Sequence, residues 1–167
     1  MTSNEESFEA LFSAEYGRVT GIANRVLADP YEAEDVAQEV FVDFNRLHSA
    51  TAPYAAAWLY RAAAHKALNR VRGRRRREKR ELSQAADESS HTMDPQQMLE
   101  VNEDRRSVRQ ALARLAPKPA TVLVLRASGL SYAEVAQALG VGIGQIGTLL
   151  RRAEAALRKE VIHGASN

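Results

Sequence analysis

Apolar residues recur every three or four positions along most of the chain. Between residues 5 and 28 the recurring positions are Phe8, Leu11, Phe12, Val19, Ile22, Val26 and Leu27. This spacing gathers them on one face of an α-helix. No segment alternates apolar and polar residues as a half-buried strand does, and no repeat of fixed period is present. The pattern therefore predicts an all-α protein.

Turn-forming residues divide the first half of the chain into three helices. Asp29 suits the N-cap and Pro30 the first turn of a second helix, which is predicted over residues 31–47. The apolar face of this helix is expected to comprise Ala33, Val36, Val40, Phe44 and Leu47. A third helix is predicted to begin near Tyr54 and to continue into a run of arginines. The three helices can bury one another, which predicts a first domain at residues 1–80.

The second half of the chain predicts another helical domain. Residues 81–98 are polar and lack apolar periodicity, which predicts a flexible linker. Glycine and proline breaks separate the helices that follow it, which are predicted at about residues 99–115, 118–128, 131–139 and 143–161. The expected architecture is two small helical domains, at residues 1–80 and 99–162, joined by the linker.

Charge is distributed unevenly, although the formal net charge is only +2. Residues 1–43 carry ten acidic and two basic groups, whereas residues 61–80 carry ten basic groups and one acidic group. Residues 81–104 have seven acidic and no basic groups, and residues 105–160 have ten basic and three acidic groups. Lysine and arginine often only solvate a helix face, but the run RGRRRREKR at residues 72–80 is denser than solubility requires. Two basic segments, each next to an acidic one, predict two sites for a polyanion.

The segment LSYAEVAQALGVGIGQIGTLL has the spacing of a helix-turn-helix. Ser131 and Glu134 form a capping-box pattern at the start of its first helix. Ala136 is small enough for close helix approach, Gly140 suits a left-handed turn, and Ile146 fills the space between the two helices. An ordinary helical hairpin is the alternative, but it does not require these residue types at these offsets. The motif therefore predicts DNA binding.

The second helix of such a motif places its N-terminal residues against base edges in the major groove. The candidate DNA-binding residues of this motif are Ser131, Tyr132, Gln145, Thr148, Arg151 and Arg152. Glutamine can pair with adenine and arginine with guanine, while threonine can reach a base or a phosphate. Gly142, Gly144 and Gly147 permit close approach of the backbone but provide no side-chain contact. We expect modest affinity for this motif alone, so that a second DNA contact must lie elsewhere in the chain.

Three segments resemble, in the same order, those of bacterial RNA polymerase sigma factors of the extracytoplasmic-function type (group IV). They are AEDVAQEVFVDF at residues 33–44, AAWLYRAAAHKALNRVRGRRRR at residues 56–77 and LSYAEVAQALGV at residues 130–141. The combination of DVAQEVF with WLYR is specific, whereas a helix-turn-helix alone is a weaker signal. The resemblance implies two helical domains, a sigma region 2-like reader of the promoter −10 element and a sigma region 4-like reader of the −35 element.

The resemblance also implies that the second helix docks on the clamp helices of the polymerase β′ subunit, and that the β flap is a further contact. The docking residues that it implies are Asp35, Gln38, Glu39, Val42, Asp43 and Arg46. Their carboxylates and amide suit charge-assisted contacts with a basic partner helix. Without the resemblance, such a stripe is more simply a solvated helix face.

The third helix and the loop before it, residues 48–54, resemble the part of the family that opens and reads the −10 element. The candidate residues are His48, Arg61, His65, Lys66, Asn69, Arg70, Arg72, Arg74, Arg75, Arg76 and Arg77. Strand opening needs cations along the phosphates and a pocket for an unstacked base. His65 stands where the family often has asparagine, which leaves the base preference at −10 open. Gly147 and Leu149 stand where the family commonly has basic residues, which leaves the −35 sequence open.

Two other classes of function compete with a sigma factor. A stand-alone regulator would bind duplex DNA tightly without polymerase, whereas a sigma factor needs the core enzyme. An enzyme is disfavoured because the chain has no cysteine, its four histidines lack metal-ligand spacing, and it has no phosphate-binding glycine loop. The sequence predicts no metal and no cofactor.

The first residues are acidic rather than typical of a signal peptide, and no apolar run is long enough to span a membrane. We therefore expect a cytoplasmic protein without membrane insertion, associated with the nucleoid when bound to polymerase. The resemblance further implies restraint by an anti-sigma protein.

Overall fold

The computed structural model describes the backbone of residues 2–84 and 96–165 and the side chains of residues 3–82 and 104–164. Within these ranges the chain is helical and contains no strand, so the all-α prediction is confirmed. The helices are α1 (Thr2–Leu27), α2 (Pro30–Leu47), α3 (Ala55–Gln84), α4 (Gln96–Arg114), α5 (Pro117–Ala127), α6 (Tyr132–Leu139) and α7 (Ile146–Ala165). None of these helices is both long enough and apolar enough to cross a membrane.

The ends of the segment predicted as a linker fall within two helices. Helix α3 continues to Gln84, and helix α4 begins at Gln96. The remaining residues of the predicted linker, 85–95, lie outside the described residues. The arginine run therefore lies on a continuous helix of 30 residues, whose first half contributes to the core and whose second half carries cations.

Helices α1, α2 and α3 pack around a buried apolar core. Phe41 of α2 is almost fully buried, and its ring meets the rings of Phe8 and Phe12 of α1 edge to face. Leu47 was predicted on this core face, but 67% of its surface is exposed. It occupies the last position of α2, where the chain turns away, so no neighbouring helix covers it.

The N-terminus of α2 forms as its sequence predicts. The Asp29 carboxylate accepts hydrogen bonds from the backbone N–H groups of Tyr31 (3.0 Å) and Glu32 (3.3 Å), and Pro30 takes the first position of the helix. These bonds satisfy two of the N–H groups that a helix start leaves without partners. The capped start fixes the direction of α2 and therefore the face that it presents.

Helices α6 and α7 form the predicted helix-turn-helix. The Ser131 hydroxyl accepts from the Glu134 backbone N–H (3.1 Å), and the Glu134 carboxylate accepts from the Ser131 N–H (2.9 Å), which completes the capping box. Gly140 ends α6 in the left-handed conformation with φ of 69°. Ile146 is fully buried between the two helices. Each of these features agrees with the role that the sequence predicted.

The start of α7, the second helix of the helix-turn-helix, differs from the prediction. A 3₁₀ turn at Ile143–Gln145 precedes α7, which begins at Ile146 rather than at residue 143. Gly142 caps this turn without a side-chain hydrogen bond. Glycine favours the α-helix poorly, and Gly144 inside the turn adds to this effect, so the first residues take the tighter turn.

The two halves of the chain contact each other directly. Arg18 of α1 forms a two-pronged ion pair with Glu134 of α6, with N–O distances of 2.7 and 3.2 Å. Arg72 of α3 donates to the backbone carbonyls of Ala113 (2.9 Å) and Leu115 (3.0 Å) at the end of α4. Buried apolar residues from both halves belong to one continuous cluster.

We predict that Phe41→Ala lowers the free energy of unfolding by about 3–5 kcal/mol, because it removes a buried ring and its aromatic partners. Val42→Ala at the next position should change it by less than about 0.5 kcal/mol, since 56% of Val42 is exposed. Urea unfolding followed by circular dichroism measures both. Equal effects of the two substitutions would contradict the placement of this core.

Candidate protein and nucleic-acid interfaces

The residues predicted to dock on polymerase share one face of α2, which we term the docking stripe. Its members are Asp35, Gln38, Glu39, Val42, Asp43 and Arg46. All are exposed except Asp43, which is half-buried. Val42 is an exposed apolar side chain among polar ones, and an open cleft runs along the stripe towards α3. The face thus offers carboxylates around a small apolar centre, as an interface with a basic helix requires.

Two cations of α3 lie against the carboxylates of the docking stripe. The Lys66 ammonium is 3.0 Å from Asp43 and 3.8 Å from Glu39, and the Arg70 guanidinium donates to Glu39 at 2.9 Å. The sequence had assigned Lys66 and Arg70 to DNA phosphates. These pairs are partly exposed, so each contributes only about 0–1 kcal/mol and can be exchanged for another partner.

The arginine run of α3 divides into bound and open positions. Arg74 pairs with Glu32 of α2, and Arg72 holds the carbonyls at the end of α4. Arg75 and Arg76 face an open cleft that Lys79 also lines. Exposed Arg77 follows on the same helix. Some of the predicted phosphate-binding residues are therefore open to a ligand, whereas others form contacts within the protein.

Helix α4 adds cations that the sequence reasoning did not single out. Arg106 and Arg109 line a groove with Arg74 and Arg75 of α3. Burial lowers the pKa of Arg109, and the charges of Arg106, Arg105 and Arg74 act in the same direction. The basic excess of residues 105–160 was visible in the sequence, but the packing that brings these arginines beside α3 was not.

Aromatic side chains line the loop between α2 and α3. The His48 ring stacks on Phe44 with 5.4 Å between centroids, and its Nδ1 lies 2.8 Å from the Tyr54 hydroxyl. Trp58 lies 5.2 Å from the His48 ring, and 45% of Tyr54 is exposed. These rings are fixed by their contacts with one another, and all except Phe44 are partly exposed. An unstacked base can stack on such a surface.

The predicted base-reading residues of α3 lie close to cations. Burial lowers the pKa of His65, and the charges of Arg61 and Arg72 lower it further. Asn69 accepts a hydrogen bond from Arg72 through its side-chain carbonyl (3.3 Å). A neutral imidazole has one donor and one acceptor nitrogen, so His65 can meet either kind of group on a base edge.

The candidate −35 residues form a second surface, on α6 and α7. The residues Ser131, Tyr132, Gln145, Thr148, Arg151 and Arg152 are all exposed. The Arg151 guanidinium lies 3.5 Å from the Thr148 hydroxyl, and the Arg126 guanidinium lies 5.2 Å from the centre of the Tyr132 ring. The sequence reasoning missed Arg126 and also Ile143, which is 57% exposed on the turn before α7. Across the part of the chain that the structure describes, no cluster of side chains is arranged to hold a metal ion.

Two family matches cover most of the described chain. Residues 11–77 match Sigma-70 region 2, and residues 105–157 match Sigma-70 region 4. The first match spans most of α1, all of α2 and most of α3, and so includes the docking stripe and the run of four arginines at residues 74–77. The second begins in the middle of α4, ends within α7 and includes the helix-turn-helix.

Three relatives match over most of their own length. RNA polymerase sigma factor YlaC of Bacillus subtilis is 30% identical, and the match covers 95% of this chain and 94% of that protein. The extracytoplasmic-function sigma factor SigK of Mycolicibacterium vanbaalenii is 30% identical, with 92% of this chain and 81% of that protein covered. The SigW factor of Bacillus subtilis is 26% identical over 95% of this chain and 90% of its own length.

A solved structure shares the fold. The structure of CnrH in complex with the cytosolic domain of CnrY superimposes with a TM-score of 0.56, at 21% identity, and covers 95% of this chain and 89% of that chain.

We predict that the His65 imidazole titrates with a midpoint below 6.5, because burial and two arginines disfavour its charged form. As the pH falls below 6.5, His65 is protonated in the unfolded chain before it is protonated in the folded chain. This difference lowers the free energy of unfolding. Arg72→Ala should move the midpoint up towards 6.5. Histidine ring signals followed by NMR from pH 5 to 8 measure this, and a midpoint at or above 6.5 in the unmodified chain would contradict it.

Proposed function

This chain belongs to the sigma-70 family as a sigma factor of the extracytoplasmic-function type, and we propose how its surfaces divide the work of promoter recognition. Such a factor directs promoter-specific initiation of transcription and is regulatory rather than catalytic. The observation that carries the proposal is the pairing of an acidic stripe on α2 with a cationic face on the adjacent α3. This pairing supports a site for a basic protein beside a site for a polyanion.

The docking stripe binds core RNA polymerase, at the clamp helices of the β′ subunit. Its exposed Asp35 and Glu39 supply carboxylates and Gln38 an amide, while Val42 gives a dry contact at the centre. Charge complementarity of this kind sets partner choice and encounter rate more than it sets total affinity. The β flap is the further polymerase contact that we propose, for the second domain.

Helix α3 and the loop between α2 and α3 bind the −10 element. The arginines that face the open cleft, Arg75 and Arg76, hold phosphates, together with Arg61 and Arg77. Tyr54 and His48 offer a stacking surface for an extruded base, and His65 and Asn69 offer hydrogen-bonding groups. Phosphate contacts fix the position of the strand, and base contacts give specificity.

Helices α6 and α7 bind the −35 element in the major groove. Arg151, Arg152 and Gln145 are long, exposed side chains that can reach guanine and adenine edges, and Thr148 supports Arg151. Ser131 and Tyr132 at the start of α6 lie where the first helix of such a motif meets the DNA backbone. The two domains correspond to residues 1–80 and 99–162, with residues 81–98 between them.

The protein acts in the cytoplasm, where polymerase and promoter DNA are. An anti-sigma protein is its proposed regulator, and the structural support is the likeness to CnrH, which was solved with the cytosolic domain of CnrY bound. A partner that covers the docking stripe would block polymerase by occupying its carboxylates.

Run-off transcription tests the proposal. Genomic DNA fragments are transcribed by purified core polymerase with and without this protein, and the new start sites identify the promoters. We expect discrete transcripts that depend on the protein and a 1:1 complex with the core enzyme. A chain that binds duplex DNA tightly alone and never associates with core would be a stand-alone regulator instead.

We predict that paired substitutions separate the two surfaces. Asp35→Ala with Gln38→Ala should weaken core binding by roughly tenfold, about 1.4 kcal/mol, and leave the −35 contact intact. Arg151→Ala with Arg152→Ala should reduce binding to the upstream element and leave core binding unchanged. Fluorescence anisotropy with core and with fork-junction DNA measures each effect. If both pairs lower the same quantity equally, the assignment of separate roles is wrong.

A further inference from the structure

Ile143 is an exposed apolar side chain on the turn that leads into the recognition helix. It opens the 3₁₀ turn before α7, and 57% of its surface is exposed. A Cβ atom at Gly142 or Gly144, on either side of it, would meet nothing within 4 Å. Within the turn Ile143–Gln145, which is fully described, Ile143 is therefore the only apolar side chain and projects from a bare stretch of backbone.

The surface around Ile143 is polar or cationic. Gln145, Thr148 and Arg151 are exposed, and a Cβ at Gly147 would again meet only open space. The exposed Val42 of the docking stripe lies among carboxylates, which suit a basic protein partner, whereas the neighbours of Ile143 are an amide, a hydroxyl and a guanidinium, which suit DNA. A single apolar group among hydrogen-bonding groups instead matches the edge of a base pair in the major groove, where the C5-methyl of thymine lies among donors and acceptors.

We propose that Ile143 selects thymine at one position of the −35 element by contact with the thymine C5-methyl group. This inference rests on the proposed function, in which α7 enters the major groove. Because Gly142 and Gly144 let the backbone approach the bases closely, a side chain as short as isoleucine reaches the base edge. The glycines then allow the close approach of the backbone, and Ile143 makes the contact with the methyl group.

Replacement of single thymines by deoxyuridine tests the proposal, since it removes only the methyl group. In a promoter found by run-off transcription, each −35 thymine is replaced in turn, and binding of the holoenzyme is measured. One replacement should weaken binding by about fourfold, the equivalent of one apolar carbon group. The same replacement should have no effect on Ile143→Ala. Ile162→Ala is the matched control, because Ile162 is 68% exposed at the far end of α7 and should keep the deoxyuridine effect.

The outcomes distinguish this inference from the proposed function. If Arg151→Ala weakens −35 binding but no deoxyuridine replacement does, the role of Ile143 is overturned and the proposed function stands. If Arg151→Ala also has no effect, the −35 assignment itself fails. Weaker core binding by Ile143→Ala without DNA would assign the residue to a protein contact and overturn the inference.

Discussion

The close packing of α3 against α1 and α2 is the constraint on which the other features depend. It requires small residues, and Ala63, Ala64 and Ala67 are completely buried on the inner face of α3. Because the helices approach closely there, long side chains on the flanks of α3 reach those of α2 across the seam. Larger residues at these positions would widen the seam and separate charges that now lie within hydrogen-bonding distance.

The groups that we propose for polymerase binding and those that we propose for DNA binding are therefore neighbours rather than separate patches. Lys66 reaches Asp43 and Glu39 from the side of α3, and Arg70 reaches Glu39. The second domain repeats this arrangement on a smaller scale, since Glu134 serves its own helix start and the other half of the chain at once. In both places one carboxylate has two partners. Glu39 contacts Lys66 and Arg70, and Glu134 contacts the Ser131 N–H and Arg18.

The sequence predicted those features that depend on neighbours close in the chain. Helix periodicity, the Asp29 cap, the Ser131–Glu134 capping box and the left-handed Gly140 all follow from local chemistry. The family resemblance, confirmed by the matches to regions 2 and 4, added the class of function. Features set by distant packing were not predictable in this way. Leu47 fits the apolar period but lies beyond its covering helices, and Arg72 bonds to carbonyls 41 and 43 residues away.

The shared charges at the seam between α2 and α3 have a thermodynamic consequence. A basic partner that attracts Glu39 and Asp43 leaves Lys66 and Arg70 without their carboxylates, and these cations then favour phosphate more strongly. If DNA phosphates then take the place of these carboxylates at Lys66 and Arg70, linkage requires that DNA raises the affinity of the stripe for the basic partner by the same factor. Positive cooperativity between the two proposed ligands would then need no change of fold, only an exchange of counterions between adjacent helices.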